Sequence, residues 1–236
     1  MISSIIKIIL IVLWTFVCSI FAILFLIFDR SFTLYFALSP IFSGGILKIS
    51  GVKVEKYGLD NFDHNKPYIF VSNHSSQYDI PVLQHSIPGR MGMIFKKELA
   101  KIPFFGWQLK WGPYIMVDRK DPESAMKSIE EAKEKINKLN MSVVVFAEGT
   151  RSKTGEVQPF KRGAFYLASR SGFPIIPVSI SKTQNILPKG KFRIRSGKVK
   201  VHFDKPIITD NLSGKKDELE LMEKVRSIII QNIQRD

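Results

Sequence analysis

The sequence has one cysteine in 236 residues, Cys18, and it lies inside an apolar run. A single thiol excludes an intramolecular disulfide framework and a cysteine-rich zinc site, and an apolar setting is wrong for a nucleophilic thiolate. Histidine is nearly as scarce, with His64, His74, His85 and His202. Acidic residues are outnumbered, 21 against 35 Lys and Arg, for a formal charge of +14. That imbalance speaks about partners and not about fold, and by itself leaves nucleic acid, anionic membrane and phosphorylated substrates open. Internal repeats and low-complexity linkers are missing too. The length suits one catalytic domain of ordinary size plus an appendage.

What the sequence has in abundance is an apolar N-terminus. From Ile8 to Phe28 there are 21 residues without a charge, bounded by Lys7 and by Asp29-Arg30. As a helix this stretch is about 31 Å long, close to the hydrocarbon thickness of a bilayer. A cleaved signal peptide is the rival reading, but the run exceeds the usual apolar core and lacks a small-x-small cleavage site. A second apolar stretch, Ser31 to Leu47, is interrupted by Ser39-Pro40 and Ser43-Gly44-Gly45, which makes it a poorer spanning helix. Residues 1–50 are therefore expected to be membrane-embedded helices, either as one span with an interfacial segment or as a two-helix hairpin. Positive charge at both ends (Lys7; Lys48, Lys53 and Lys56) favours the hairpin, with both ends and the rest of the chain on the cytoplasmic face of the inner membrane.

Residues 51–236 alternate short strands with helices. Strands are expected at Tyr68–Ser72, Met91–Phe95, Tyr114–Val117, Ser142–Ala147, Ile175–Ile180 and Lys198–Phe203. Val143 to Ala147 reads as a central strand buried on both faces. Asp121-Pro122 opens a helix, with Asp as N-cap and Pro at the first helical position. Its apolar stripe is Ala125, Met126, Ile129, Ala132, Ile136 and Leu139; a last helix, Lys215 to Gln234, has Leu219, Met222, Val225, Ile229 and Ile233. The pattern implies an α/β domain, a mixed sheet flanked by helices.

The chemistry-bearing residues sit just past strand ends, where α/β sheets gather their functional groups. Asn73-His74-Ser75-Ser76-Gln77-Tyr78-Asp79 offers a histidine for proton transfer and an aspartate to fix its tautomer. Ser75 lacks a Gly-x-Ser-x-Gly elbow, which argues against it as nucleophile and leaves a hydroxyl of the substrate as a candidate. Two ligands do not make a metal site, and no third is evident. Glu148-Gly149-Thr150-Arg151 ends the most apolar strand with an arginine, whose planar fork matches phosphate, and a glycine that permits close approach. Lys96 and Lys97 stand beside an apolar, aromatic stretch that ends in Ile102-Pro103-Phe104-Phe105-Gly106. Phe173-Pro174-Ile175-Ile176-Pro177-Val178 is an apolar run bearing two prolines.

In this order the four segments resemble the motifs of the glycerolipid acyltransferase family: Asn-His-x4-Asp, a Lys-rich stretch ending Ile-Pro-Phe-Phe-Gly, Phe-Pro-Glu-Gly-Thr-Arg-Ser and a proline-bearing strand. They cover roughly residues 66 to 205. Ala147 departs from the family's proline. The resemblance implies that His74 acts as general base with Asp79 behind it, on a free lysophospholipid hydroxyl that attacks an acyl thioester of coenzyme A or acyl carrier protein. It implies that Arg151, Lys96 and Lys97 hold the acceptor's phosphate, that Glu148, Gly149 and Thr150 shape the acceptor site, and that no cofactor or metal is needed. Glycerol 3-phosphate or a lyso-aminolipid would suit the same chemistry.

His64 and His85 read as solvated bystanders and His202 as a structural strand residue. Lys189, Lys191, Arg193 and Arg195 alternate, which in an extended chain puts four cations on one face. They form either a charged edge strand that blocks aggregation or a face for lipid headgroups or an acidic carrier. A membrane-tethered nucleic-acid-binding protein is disfavoured because the aromatics lie mainly in apolar membrane or core segments.

Overall fold

In a computed structural model, which describes residues 2–118, 121–210, 212 and 214–235, the chain opens with two long helices, α1 (Ile2–Phe28) and α2 (Thr33–Ser50). Seven strands follow: β1 (Val52–Tyr57), β2 (Ile69–Ser72), β3 (Met91–Lys96), β4 (Ile115–Val117), β5 (Ser142–Phe146), β6 (Ile175–Ser181) and β7 (Gly197–Phe203). Between and after them come α3 (Asp79–Ser86), α4 (Phe105–Trp111), α5 (Pro122–Leu139), α6 (Gly163–Ser171), α7 (Thr183–Ile186) and α8 (Lys215–Gln234). All seven strands form one sheet in the order β1-β7-β6-β2-β5-β3-β4. The five strands from β6 to β4 are parallel; β7 runs antiparallel to β6 and carries β1 with it.

The period of two along each strand divides the core into two layers. Phe70, Val144 and Ile176 face a cluster completed by Val82 and Leu83 of α3. Ile69, Val71, Val143 and Ile175 face the opposite cluster, with Ala132 and Ile136 of α5, Phe165 of α6, and Val225 and Ile229 of α8. Pro177 fits inside β6 because its carbonyl, and therefore its missing N–H, faces β7 where that strand has ended; the carbonyl accepts the Asp204 N–H at 3.0 Å.

Several expectations need correction. β1 was not foreseen: its sequence VKVEKY places Lys and Glu at an exposed sheet edge, so it lacks an apolar run. β5 is fully buried only over its first three residues; Val145 and Phe146 are half-buried, and Phe146 borders an open cavity. On α5, Met126 is exposed while Ala132 and Ile136 are buried, and on α8 Leu221, not Leu219, turns into the core. The Asp121 cap forms as expected, its carboxylate accepting the Glu123 N–H at 3.0 Å.

α2 runs unbroken through Pro40 and Gly44-Gly45. Glycine at 45 serves helix packing instead of helix ending. A Cβ there would come within 2.2 Å of the Trp14 indole nitrogen, which donates to Phe42 O at 2.9 Å. Both helices are long and apolar enough to cross a membrane by length and composition. α1 leaves Ile5, Ile9, Val12, Leu13, Phe16 and Ile27 exposed.

Candidate active site

Parallel strands that enter the sheet from one side must leave it at the same edge, and this edge gathers the site. β2 delivers Asn73 to Asp79, β5 delivers Ala147 to Ser152, β3 ends on Lys96, and β6 leads to Thr183. Cross-links fix their relative positions. Asn73 exchanges two hydrogen bonds with the backbone of Ile180 on β6, both at 2.9 Å, and the Ser152 N–H donates to His74 O at 2.7 Å.

His74 Nδ1 lies 2.7 Å from Asp79 Oδ2. The same oxygen accepts the N–H groups of Ser75 at 2.7 Å and Ser76 at 2.8 Å, while Oδ1 accepts the Thr183 hydroxyl. Asp79 is wholly buried, and these four donors offset the loss of water around its charge. A carboxylate at Nδ1 makes that nitrogen the protonated one and leaves Nε2 with a free lone pair. The Phe146 ring stacks on the imidazole with centroids 3.9 Å apart and planes 17° from parallel, which restricts its rotation.

Glu148 sits beneath this pair. Its Oε1 accepts the His74 N–H at 2.6 Å and Oε2 accepts the Gln158 N–H at 3.2 Å. Burial pushes its pKa up to about 7, partly opposed by those two backbone bonds. Gly149 turns the chain with φ at +70°, and a Cβ there would press to 3.0 Å against the Lys161 stem, so the position demands glycine.

His74 opens into a cavity of about 480 Å³. Its polar end carries Lys96, Thr150, Arg151 and Lys189. The apolar end runs between α1, α2 and α4, past Ala22, Leu38, Phe42 and Leu109. The arrangement joins a polarised imidazole, a cationic pocket and an apolar channel in one space.

The sequence-derived residues divide in place. His74, Lys96, Thr150 and Arg151 line the cavity; Asp79 and Glu148 lie behind it; Gly149 shapes the turn. Lys97 is turned away and ion-paired with Asp118, which raises its pKa. Sequence reasoning missed Thr183 and Phe146. It also saw Lys189 only as part of a charged stripe, and residues 189–195 form a loop where a strand was one expectation. Among the described residues no three His, Cys, Asp or Glu side chains cluster as a metal would require. His85 and His64 are exposed, and His202 stacks on Tyr57.

A family model described as Acyltransferase matches residues 53–181, which include all four motifs. The chain belongs to the acyltransferase family. Among the family's named members, the 1-acyl-sn-glycerol-3-phosphate acyltransferase of Saccharomyces cerevisiae is 35% identical over 78% of this chain and 60% of its own length. The human 1-acyl-sn-glycerol-3-phosphate acyltransferase alpha is 35% identical over 75% of this chain and 62% of its own length. The chain thus matches about three fifths of these relatives. The crystal structure of the 1-acyl-sn-glycerophosphate (LPA) acyltransferase PlsC from Thermotoga maritima superposes with a TM-score of 0.78 at 25% identity, covering 99% of this chain and 97% of that one. That likeness takes in the two N-terminal helices, which lie outside the matched family model.

Proposed function

We propose that this acyltransferase moves an acyl group from a thioester to the 2-hydroxyl of lysophosphatidic acid, giving phosphatidic acid. The observation that carries the reading is one cavity lined by His74, by the cations Arg151, Lys96 and Lys189, and by apolar side chains of α1, α2 and α4. The cations would take the acceptor's phosphate, Arg151 through its bidentate fork. The channel would take an acyl chain. Relatives named 1-acyl-sn-glycerol-3-phosphate acyltransferases support the choice of acceptor.

Each step uses groups this chain supplies. His74 Nε2 takes the proton from the acceptor hydroxyl as its oxygen attacks the thioester carbonyl. The tetrahedral intermediate collapses, the carbon–sulfur bond breaks, and the sulfur leaves with the proton returned from the imidazolium. Asp79 keeps its charge throughout, holds Nδ1–H and stabilises the imidazolium. Holding both reactants in one pocket supplies the remaining acceleration through orientation. No cofactor enters this sequence; coenzyme A or acyl carrier protein serves as the donor's handle.

We further propose that residues 1–50 form a hairpin seated in the membrane, with residues 51–236 as the catalytic domain on the cytoplasmic face. The exposed apolar side of α1 supports this, because a surface of that size is unfavourable in water. The acceptor would then enter from the bilayer surface. The test is purified chain in detergent with labelled acyl thioester and three acceptors: lysophosphatidic acid, glycerol 3-phosphate and lysophosphatidylethanolamine. Transfer to lysophosphatidic acid is expected to dominate. Preference for either other acceptor would overturn the substrate assignment, and transfer to none would overturn the activity.

A further inference from the structure

We propose that the loop from Pro188 to Ser196 is a second membrane contact that recognises anionic lipid headgroups and couples them to the cavity. The proposal rests on the membrane reading above and adds a site to it. Between Glu156 and Asp204 the sequence has no acidic residue and ten Lys and Arg. Three of these, Lys191, Arg193 and Arg195, are exposed on the loop, and none has an ion-pair partner among the described residues. Between them Phe192 is 83% exposed, which water alone does not favour. Cations interleaved with an outward aromatic suit the headgroup layer, where rings and positive charge are both favoured.

The loop's position follows from its anchors. Ile194 is buried, its carbonyl accepts the Ser4 hydroxyl at 3.3 Å, and the Arg195 N–H donates to Ile186 O at 2.9 Å. Lys7 reaches Ser50 O at 2.8 Å and Ser196 Oγ at 2.9 Å, so the start of α1, the end of α2 and the loop are tied together. Whether the helices span the bilayer or dip into one leaflet, these charged ends lie at the headgroup level. The loop is held there with them. At its other end Lys189 lines the cavity and donates to Arg151 O. One short segment thus touches both the headgroup layer and the acceptor's cationic pocket.

Because α1 and α2 anchor the chain regardless, the test reads the loop and not overall binding. Phe192→Cys in a Cys18→Ala background is labelled with an environment-sensitive fluorophore. The full chain is then reconstituted in phosphatidylcholine vesicles with and without phosphatidylglycerol, each containing a headgroup-level quencher. In phosphatidylglycerol vesicles the label is expected to shift to the blue and to be quenched. Each cation contributes about fivefold to the attraction, so losing Lys191, Arg193 and Arg195 costs about a hundredfold, and changing all three to Glu should weaken loop insertion by at least about that factor because repulsion is added. Water-like emission at residue 192 in a membrane-bound chain overturns the proposal. So does a charge-reversed chain that keeps its membrane signal and loses rate only with acyl carrier protein as donor, which would assign the face to the carrier. A chain that stays out of vesicles altogether overturns the membrane reading itself.

Discussion

Replacing Asp79 by Asn separates charge from geometry at the proposed base. One carboxylate oxygen holds three donors, His74 Nδ1–H and the N–H groups of Ser75 and Ser76, and the other oxygen takes the Thr183 hydroxyl. A carboxamide can keep this pattern. Its oxygen stays with the three donors and its NH2 donates to Thr183 Oγ1, whose proton turns to Ser75 Oγ, now 2.9 Å away. The His74 tautomer is therefore retained and only the negative charge is lost. At about 4 Å between charge centres and an effective dielectric constant of about 20, that charge stabilises an imidazolium by about 4 kcal/mol, or about a thousandfold in rate. Asp79→Asn is expected to lower kcat by about that factor, to leave the acceptor KM unchanged and to keep the thermal midpoint within a few degrees of wild type. Asp79→Ala differs in kind. It orphans three buried donors at about 1–3 kcal/mol each and should destabilise the fold outright. Steady-state acyl transfer with thermal melts of both variants makes the comparison. An Asp79→Asn enzyme with at least a tenth of wild-type kcat, or one impaired mainly in acceptor KM, would refute the electrostatic role.

Three further outcomes follow from named groups. Glu148 titrates near 7 in the folded protein and near the ordinary carboxylate range when unfolded; a raised acid pKa means stability present at low pH and lost as pH rises. Stability to urea should therefore fall by about 2 kcal/mol, the full shift discounted for solvent screening, from about pH 4 to about pH 9, and Glu148→Gln should flatten that dependence, whereas an identical slope in the variant would exclude Glu148 as its source. Lys96 lines the cavity and Lys97 pairs with Asp118, so Lys96→Ala should raise the acceptor KM about tenfold or more while Lys97→Ala leaves it alone; equal effects would contradict that division. Ala22→Phe fills the apolar end of the cavity and should shift the preferred donor to shorter acyl chains, as read from product masses with donors of graded length, and an unmoved profile would place the chain elsewhere.

How much of this was legible in the sequence follows from what each residue faces. β2, β5 and β6 are recognisable because central strands of a mostly parallel sheet are buried on both faces and read as apolar runs. β1 is an edge strand whose outward residues are charged, so nothing in VKVEKY distinguishes it from a loop. α2 looked interrupted because Pro40 and the glycine pair are helix breakers in water; packing of Trp14 on Gly45 outweighs that preference. His74 and Asp79 are close in the chain, and their pairing could be anticipated. Thr183 reaches Asp79 across 104 positions and left no local signal. Lys96 and Lys97 could have been told apart, since Lys96 is the last residue of β3 and Lys97 begins the following turn.

The central claim is that His74 removes the acceptor's proton while the cationic end of the same cavity holds its phosphate. Single-turnover acyl transfer at saturating lysophosphatidic acid, wild type against His74→Ala, with acceptor binding measured on both, tests it most directly. The account predicts a loss of at least about a hundredfold in the transfer step, the low end of a general base's contribution, with acceptor affinity unchanged. Transfer by His74→Ala at a rate near that of the wild type would contradict it.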